Sequence, residues 1–141
     1  STDWSQQKSM EQMENFLNTK SKEEIESVKA IFTHDDEIVF GIVEALKNYN
    51  GPAAINIKLI SGVSAGEGFM KLFDDSGLEG IDFMTYTFSP SMVREAVDLG
   101  VETMEGKTLE KSYLVETQMI DKTDYKEYME SDLYKIRYSL K

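Results

Sequence analysis

The chain has 141 residues, no cysteine, one histidine (His34) and a formal net charge of -11, from 15 Lys plus Arg against 26 Asp plus Glu. With 40% hydrophobic and 11% aromatic residues it has the composition of a globular chain, and its length is that of one domain large enough for an apolar core. The acidity repels phosphate backbones and no basic stripe offsets it, so nucleic acid is excluded as a partner, as are thiolate or multi-histidine metal sites within one chain. No run approaches the roughly 20 apolar residues of a membrane-spanning helix, and STDWSQQK lacks the basic-then-apolar pattern of a leader segment.

Met10, Met13, Phe16 and Leu17 recur at helical spacing and predict a first helix from Ser5 to about Asn18. Ser21-Lys22-Glu23-Glu24 has the Ser-x-x-Glu form of a capping box and predicts a second, short helical start. KAIFT, 29–33, reads as a buried strand. Val39, Ile42, Val43 and Leu46 then make an amphipathic stripe that stops at Asn50-Gly51. AINIKLI, 54–60, reads as a second strand, and Phe69, Met70, Leu72 and Phe73 predict a short helix after the glycine-rich GVSAGEG. IDFMTYTF around 82–88 predicts a third strand. Val93, Ala96, Val97, Gly100, Val101 and Met104 form another helical stripe ending near Gly106. KSYLVET, 111–117, alternates like a strand covering one face, and the tail carries Tyr125, Tyr128, Tyr134 and Tyr138 among charges. Strand and helix thus alternate across short loops, which predicts an α/β class with a three- to four-stranded, mainly parallel sheet and helices on both faces. In such sheets ligands sit beyond the carboxyl ends of the strands, here Thr33 to Asp36, Ser61 to Ala65 and Phe88 to Ser91.

The paired carboxylates Asp35 and Asp36 stand where the first strand meets the amphipathic helix. An acidic residue there is ordinarily an N-cap, a role that falls to Asp36 and leaves Asp35 facing the crevice. A phosphate-receiver reading also needs an aspartate at the carboxyl end of a later strand. Asp82 stands instead at a strand's beginning, roughly 20 Å away at about 3.3 Å per residue. GVSAGEG matches neither the dinucleotide fingerprint nor the P-loop, and its glycines fit a tight turn. His34 has no nucleophile paired to it by the sequence, so no catalytic set, metal site or cofactor is expected.

The ordered runs DWSQQKSMEQMENFL, KAIFTHDDEIVFGIVEALK, IKLISGVSAGEGF and TYTFSPSMVREAVDLGVETMEGK resemble the second half of a periplasmic-binding-protein-like sugar-binding protein. These proteins are the solute-binding subunits of ABC-type carbohydrate importers, similar to ribose and galactose binders. The resemblance implies a partial second lobe of the type I periplasmic-binding-protein fold. It implies 1–90 as second-lobe sequence and 91–141 as a hinge crossover helix, strand and tail, all within one α/β domain. It also implies sugar binding without catalysis, a membrane permease as partner through the full-length protein, and an extracytoplasmic location, periplasmic or as a cell-surface lipoprotein. The effector-binding region of a lactose-repressor-type transcription regulator shares the fold and is the alternative.

Family members carry Asn-Asp-x-Met-Ala-x-Gly where this chain has Asp35-Asp36-Glu37-Ile38-Val39-Phe40-Gly41. By this resemblance Asp35 is a ligand residue and Asp36 the helix cap. Asp in place of Asn keeps the acceptors and removes the amide donors. Trp4 matches an aromatic that stacks on the sugar ring. Ser64 stands where the family has the sugar-binding Asp of Gly-x-Asp-Gly, a departure from the pattern. Ser89 corresponds to a polar residue of the last hinge strand. The resemblance further implies that the helix at 92–105 packs on a lobe this chain lacks, and that the isolated chain is a homo-oligomer.

Overall fold

The computed structural model describes residues 1–136. Tyr138, grouped above with the tail tyrosines, lies outside the described residues. Helix α1, Gln6–Thr19, is capped by Ser5, whose side chain accepts the Lys8 N–H. Helix α2, Lys22–Ser27, carries the expected capping box, with Ser21 and Glu24 bonded reciprocally to each other's backbone N–H. Strand β1, Ala30–Phe32, leads into α3, Asp36–Asn48; β2, Leu59–Ser64, leads into α4, Glu67–Asp74. Strand β3, Asp82–Thr87, is followed by α5, Met92–Met104, then β4, Met119–Asp121, α6, Tyr125–Glu130, and α7, Asp132–Ile136. The sheet order is β1-β2-β3-β4, with the first three strands parallel and β4 antiparallel at the edge.

Two strand expectations shift for a common reason. Residues 54–58 are not strand: paired residues begin only at Leu59, opposite Ala30 and Asp82, and Lys58 merely borders the ladder, its N–H on the Lys29 carbonyl and its own carbonyl accepting the Asp82 N–H. At its other end β2 runs to Ser64 alongside β3, so Gly62, Val63 and Ser64 are strand rather than turn. The strand expected over 111–117 is absent. The antiparallel ladder with β3 begins only at Met119, and the Thr87–Gln118 pair closes it where β3 ends. Residues 111–117 therefore run past the end of the sheet with no strand beside them, exposed throughout.

The stripe on α3 is buried as expected: Val39, Ile42, Val43 and Leu46 join Ile60, Phe69, Met70, Phe73, Phe83 and Ile120 in one apolar cluster. Tyr125 and Tyr128 complete it from α6, the Tyr125 ring lying 5.0 Å from that of Phe73. The β1-α3-β2 and β2-α4-β3 crossovers both step the same way across the sheet, so right-handed connections put α3 and α4 on one face. The side chain of Phe40 accordingly lies against Gly68. Helix α1 packs on α3 at Gly41, where an added Cβ would sit 2.0 Å from Ser9 Oγ and 2.1 Å from the Gln6 carbonyl oxygen. The opposite sheet face differs from the expectation of helices on both sides: Phe32, Tyr86 and Met119 are exposed there, among the described residues. Helix α5 buries no residue, and Val93, Val97, Val101 and Met104 all stand exposed.

Candidate functional site

Parallel pairing brings the carboxyl ends of β1, β2 and β3 to one edge, and the N-termini of α3 and α4 open there. A cavity of about 380 Å³ lies between them, lined by Asp35, Asp36, Glu37, Phe40, Ser64, Gly66, Glu67, Gly68 and Phe69. Four of these carry carboxylates and none is basic. A second cavity, about 480 Å³, lies at the amino end of β3 among residues 72–83 and Lys122, away from this edge.

Asp35 is extended, at φ -162°, and one carboxylate oxygen accepts the Glu37 N–H at 2.8 Å. It is therefore the helix cap, which corrects the assignment of that role to Asp36. The reason is one of register: helical backbone begins at Asp36, so the side chain that can reach back to the first free amides belongs to the residue before it. The turn is braced by Thr33, whose Oγ1 lies 2.8 Å from both the Asp35 and the Ser61 carbonyl oxygens.

Asp36 turns inward instead. It is only 5% exposed. Its Oδ1 accepts from the Thr85 hydroxyl at 2.9 Å, and its Oδ2 accepts the Gly66 N–H at 2.8 Å. The carboxylate also sits at the positive end of α3, where negative charge is favoured. Gly62 has to be glycine for this arrangement, since a Cβ there would stand 2.3 Å from Asp36 Oδ1 and 2.6 Å from the Phe69 ring. Its role is space rather than turn conformation. The unusual conformation falls on Ser64 and Ala65, with φ of 132° and 52°. Non-glycine residues at positive φ are strained and cluster at functional sites.

Of the four ligand candidates, Asp35 and Ser64 line the cavity and Trp4 and Ser89 do not. Trp4 is 64% exposed in a segment where Asp3 and Trp4 both have positive φ. The hydrogen bond from Lys8, followed by that from Ser1, holds the Asp3 carboxyl below the ordinary aspartate range. Ser89 Oγ lies 2.7 Å from Ser91 Oγ and accepts the Ser91 N–H at 3.3 Å, so it braces the turn into α5. His34 is exposed. Among the described residues no group of three His, Asp or Glu is placed to hold a metal ion, and no helix is long and apolar enough to cross a membrane. The sequence reading missed Thr85 and Tyr128, which reach this edge from 49 and 63 residues away through Asp36 and Ala65.

No family model matches the sequence, and no curated protein matches it. Among solved structures, the chain is similar to a galactofuranose binding protein at 21% identity and a TM-score of 0.70, covering 92% of this chain and 42% of that one. It is also similar to an ABC transporter solute binding protein from Bacillus halodurans C-125 with bound myo-inositol, at 17% identity and a TM-score of 0.70, covering 89% and 39%. A third is the periplasmic binding protein component of the arabinose ABC transporter from Shewanella sp. ANA-3, bound to α- and β-L-arabinofuranose. It matches at 22% identity and a TM-score of 0.69, again covering 89% and 39%. The chain thus has the fold of part of a type I periplasmic sugar-binding protein and spans about two-fifths of the length of such structures.

Proposed function

We propose that the chain is a sugar-binding part of the solute-binding component of an ABC-type carbohydrate importer, acting by binding and not by catalysis. The observation that carries this reading is the cavity at the carboxyl edge, where Asp35 and the strained Ser64 stand at the mouth of a parallel sheet of the sugar-binder fold. Asp35 offers hydrogen-bond acceptors to sugar hydroxyls, and Ser64 offers one donor and two acceptors. Trp4, exposed, is the proposed ring-stacking side chain, and Ser89 the proposed hinge-side contact. The carboxylates of Asp35, Glu37 and Glu67, with no basic side chain lining the cavity, favour a neutral polyol over a sugar acid or sugar phosphate. The proposed setting is extracytoplasmic, with a membrane permease as the partner of the full-length protein.

The division into a second-lobe part, 1–90, and a hinge helix with its tail, 91–141, belongs to the same reading. Under it the exposed stripe of α5 faces a first lobe, and in the isolated chain a second copy takes that place. One wall of a two-walled cleft holds its ligand weakly, at about millimolar dissociation constant or about -4 kcal/mol. Saturation-transfer NMR suits that range. Neutral pentoses, hexoses and inositols should show transfer from the protein that Asp35→Ala removes, whereas galacturonate and glucose 6-phosphate should show none. Absence of transfer to every neutral sugar tried would overturn the proposal.

A further inference from the structure

The most deeply buried polar atoms at the carboxyl edge do not point out of the cavity; they tie its floor together. Thr85, on β3, is fully buried, at 0% exposure. Its Oγ1 donates to Asp36 Oδ1 at 2.9 Å and accepts the Ala65 N–H at 3.2 Å. Asp36 Oδ2 accepts the next amide, that of Gly66, at 2.8 Å. One hydroxyl and one carboxylate therefore hold two successive amides of the turn in which Ser64 and Ala65 take positive φ. From a third side the Tyr128 hydroxyl donates to the Ala65 carbonyl at 3.3 Å. Strained backbone of this kind persists only where its surroundings over-determine it, and here three separate elements do so.

The bracket has a consequence for the cavity. Ser64, immediately before the held amides, lines it, and so does Gly66. Asp35 lines the opposite lip and is covalently next to Asp36. The same buried carboxylate thus fixes both lips. We infer that Thr85 and Asp36 are positioning residues of the site: through the Ala65 and Gly66 amides they set where Ser64 stands relative to Asp35. The inference rests on reading the cavity as a sugar site, although the bracket itself does not. Neither residue need touch the ligand. Their effect is preorganisation, since a turn free to relax would have to be ordered again on each binding event.

Thr85→Val removes the hydroxyl at nearly constant volume, and Thr85→Ser restores it. The test compares amide hydrogen exchange at Ala65 and Gly66 with sugar affinity from ¹⁵N-shift titration of the full chain with L-arabinose and myo-inositol. In the unmodified chain the two amides should exchange far more slowly than those of the exposed segment 111–117. Thr85→Val should speed them by about tenfold or more and weaken sugar binding by about fivefold, the factor a single hydrogen bond carries. Thr85→Ser should restore both. A purely structural role would lower stability and leave the affinity of the folded protein unchanged, so unchanged affinity in folded Thr85→Val overturns the inference. Should that variant not fold, exchange in the unmodified chain decides: open-loop rates at Ala65 and Gly66 overturn it. If the unmodified chain binds no sugar, the sugar reading fails, and the exchange data still decide whether the bracket exists.

Discussion

Replacing the two adjacent aspartates one at a time should separate a surface cap from a buried tie. Asp35→Ala removes the side chain that accepts the Glu37 N–H at the start of α3. A lost N-cap costs about 0.5–2 kcal/mol, and the freed amide can turn to water because the residue is only half-buried. Asp36→Ala leaves the fully buried Thr85 O–H without its acceptor, though it still receives the Ala65 N–H, and leaves the half-buried Gly66 amide without its carboxylate. Each stranded buried group costs about 1–3 kcal/mol, and the sum is offset in part because a buried charge is also removed, giving about 2–4 kcal/mol. For a chain of this length that is a fall in Tm of about 10 °C for Asp36→Ala against about 4 °C for Asp35→Ala. Urea denaturation followed by circular dichroism measures both in one protocol. The order is the test. If Asp35→Ala destabilises as much as Asp36→Ala, the hydrogen bonds assigned to Asp36 do not hold the site together.

Other perturbations follow from the same geometry. Gly41→Ala should lower stability by about 1–3 kcal/mol despite alanine's better helix propensity, because the new methyl collides with α1 backbone; thermal denaturation measures it. The Glu24 carboxyl is held below the ordinary glutamate range, first by the Ser21 backbone N–H and then by Lys20. A depressed carboxyl stabilises above its unfolded value and loses that contribution as pH falls through its folded one, so α2 should lose its box only in acid; NMR titration of the Glu24 side chain reads this. Light scattering at micromolar concentration should give a mass above the 16.1 kDa of one chain, because the α5 stripe and the exposed sheet face need cover. A clean monomer refutes the association.

Much of this architecture is legible in the sequence where the signal is local. The α3 stripe, the Ser21–Glu24 box and the β-branched strands all report within a few residues of themselves. What escapes is whatever a distant partner decides. The alternation of 111–117 is that of a strand, but the segment has no neighbour once β3 ends at Thr87. Strand β2 begins where β1 and β3 supply partners, not where its β-branched residues begin. Which of two adjacent aspartates caps a helix depends on where helical backbone starts, and a pattern of residue types leaves that open by one position. Asp36 looks like a surface cap in sequence. It is a buried carboxylate because Thr85 and Gly66, 49 and 30 residues away, are folded onto it. Gly62 likewise reads as a turn glycine until Asp36 and Phe69 are seen against it.

The most direct measurement of the sugar-site claim is ¹⁵N-shift mapping of the full chain as a neutral sugar is added. The account predicts saturable shifts at Asp35, Asp36 and Glu37 and at Ser64 through Gly68, around the 380 Å³ cavity, with residues 74–82 at the other end of the sheet unmoved. Shifts confined to 74–82, or no saturable shifts at the carboxyl edge with any neutral sugar, would contradict it.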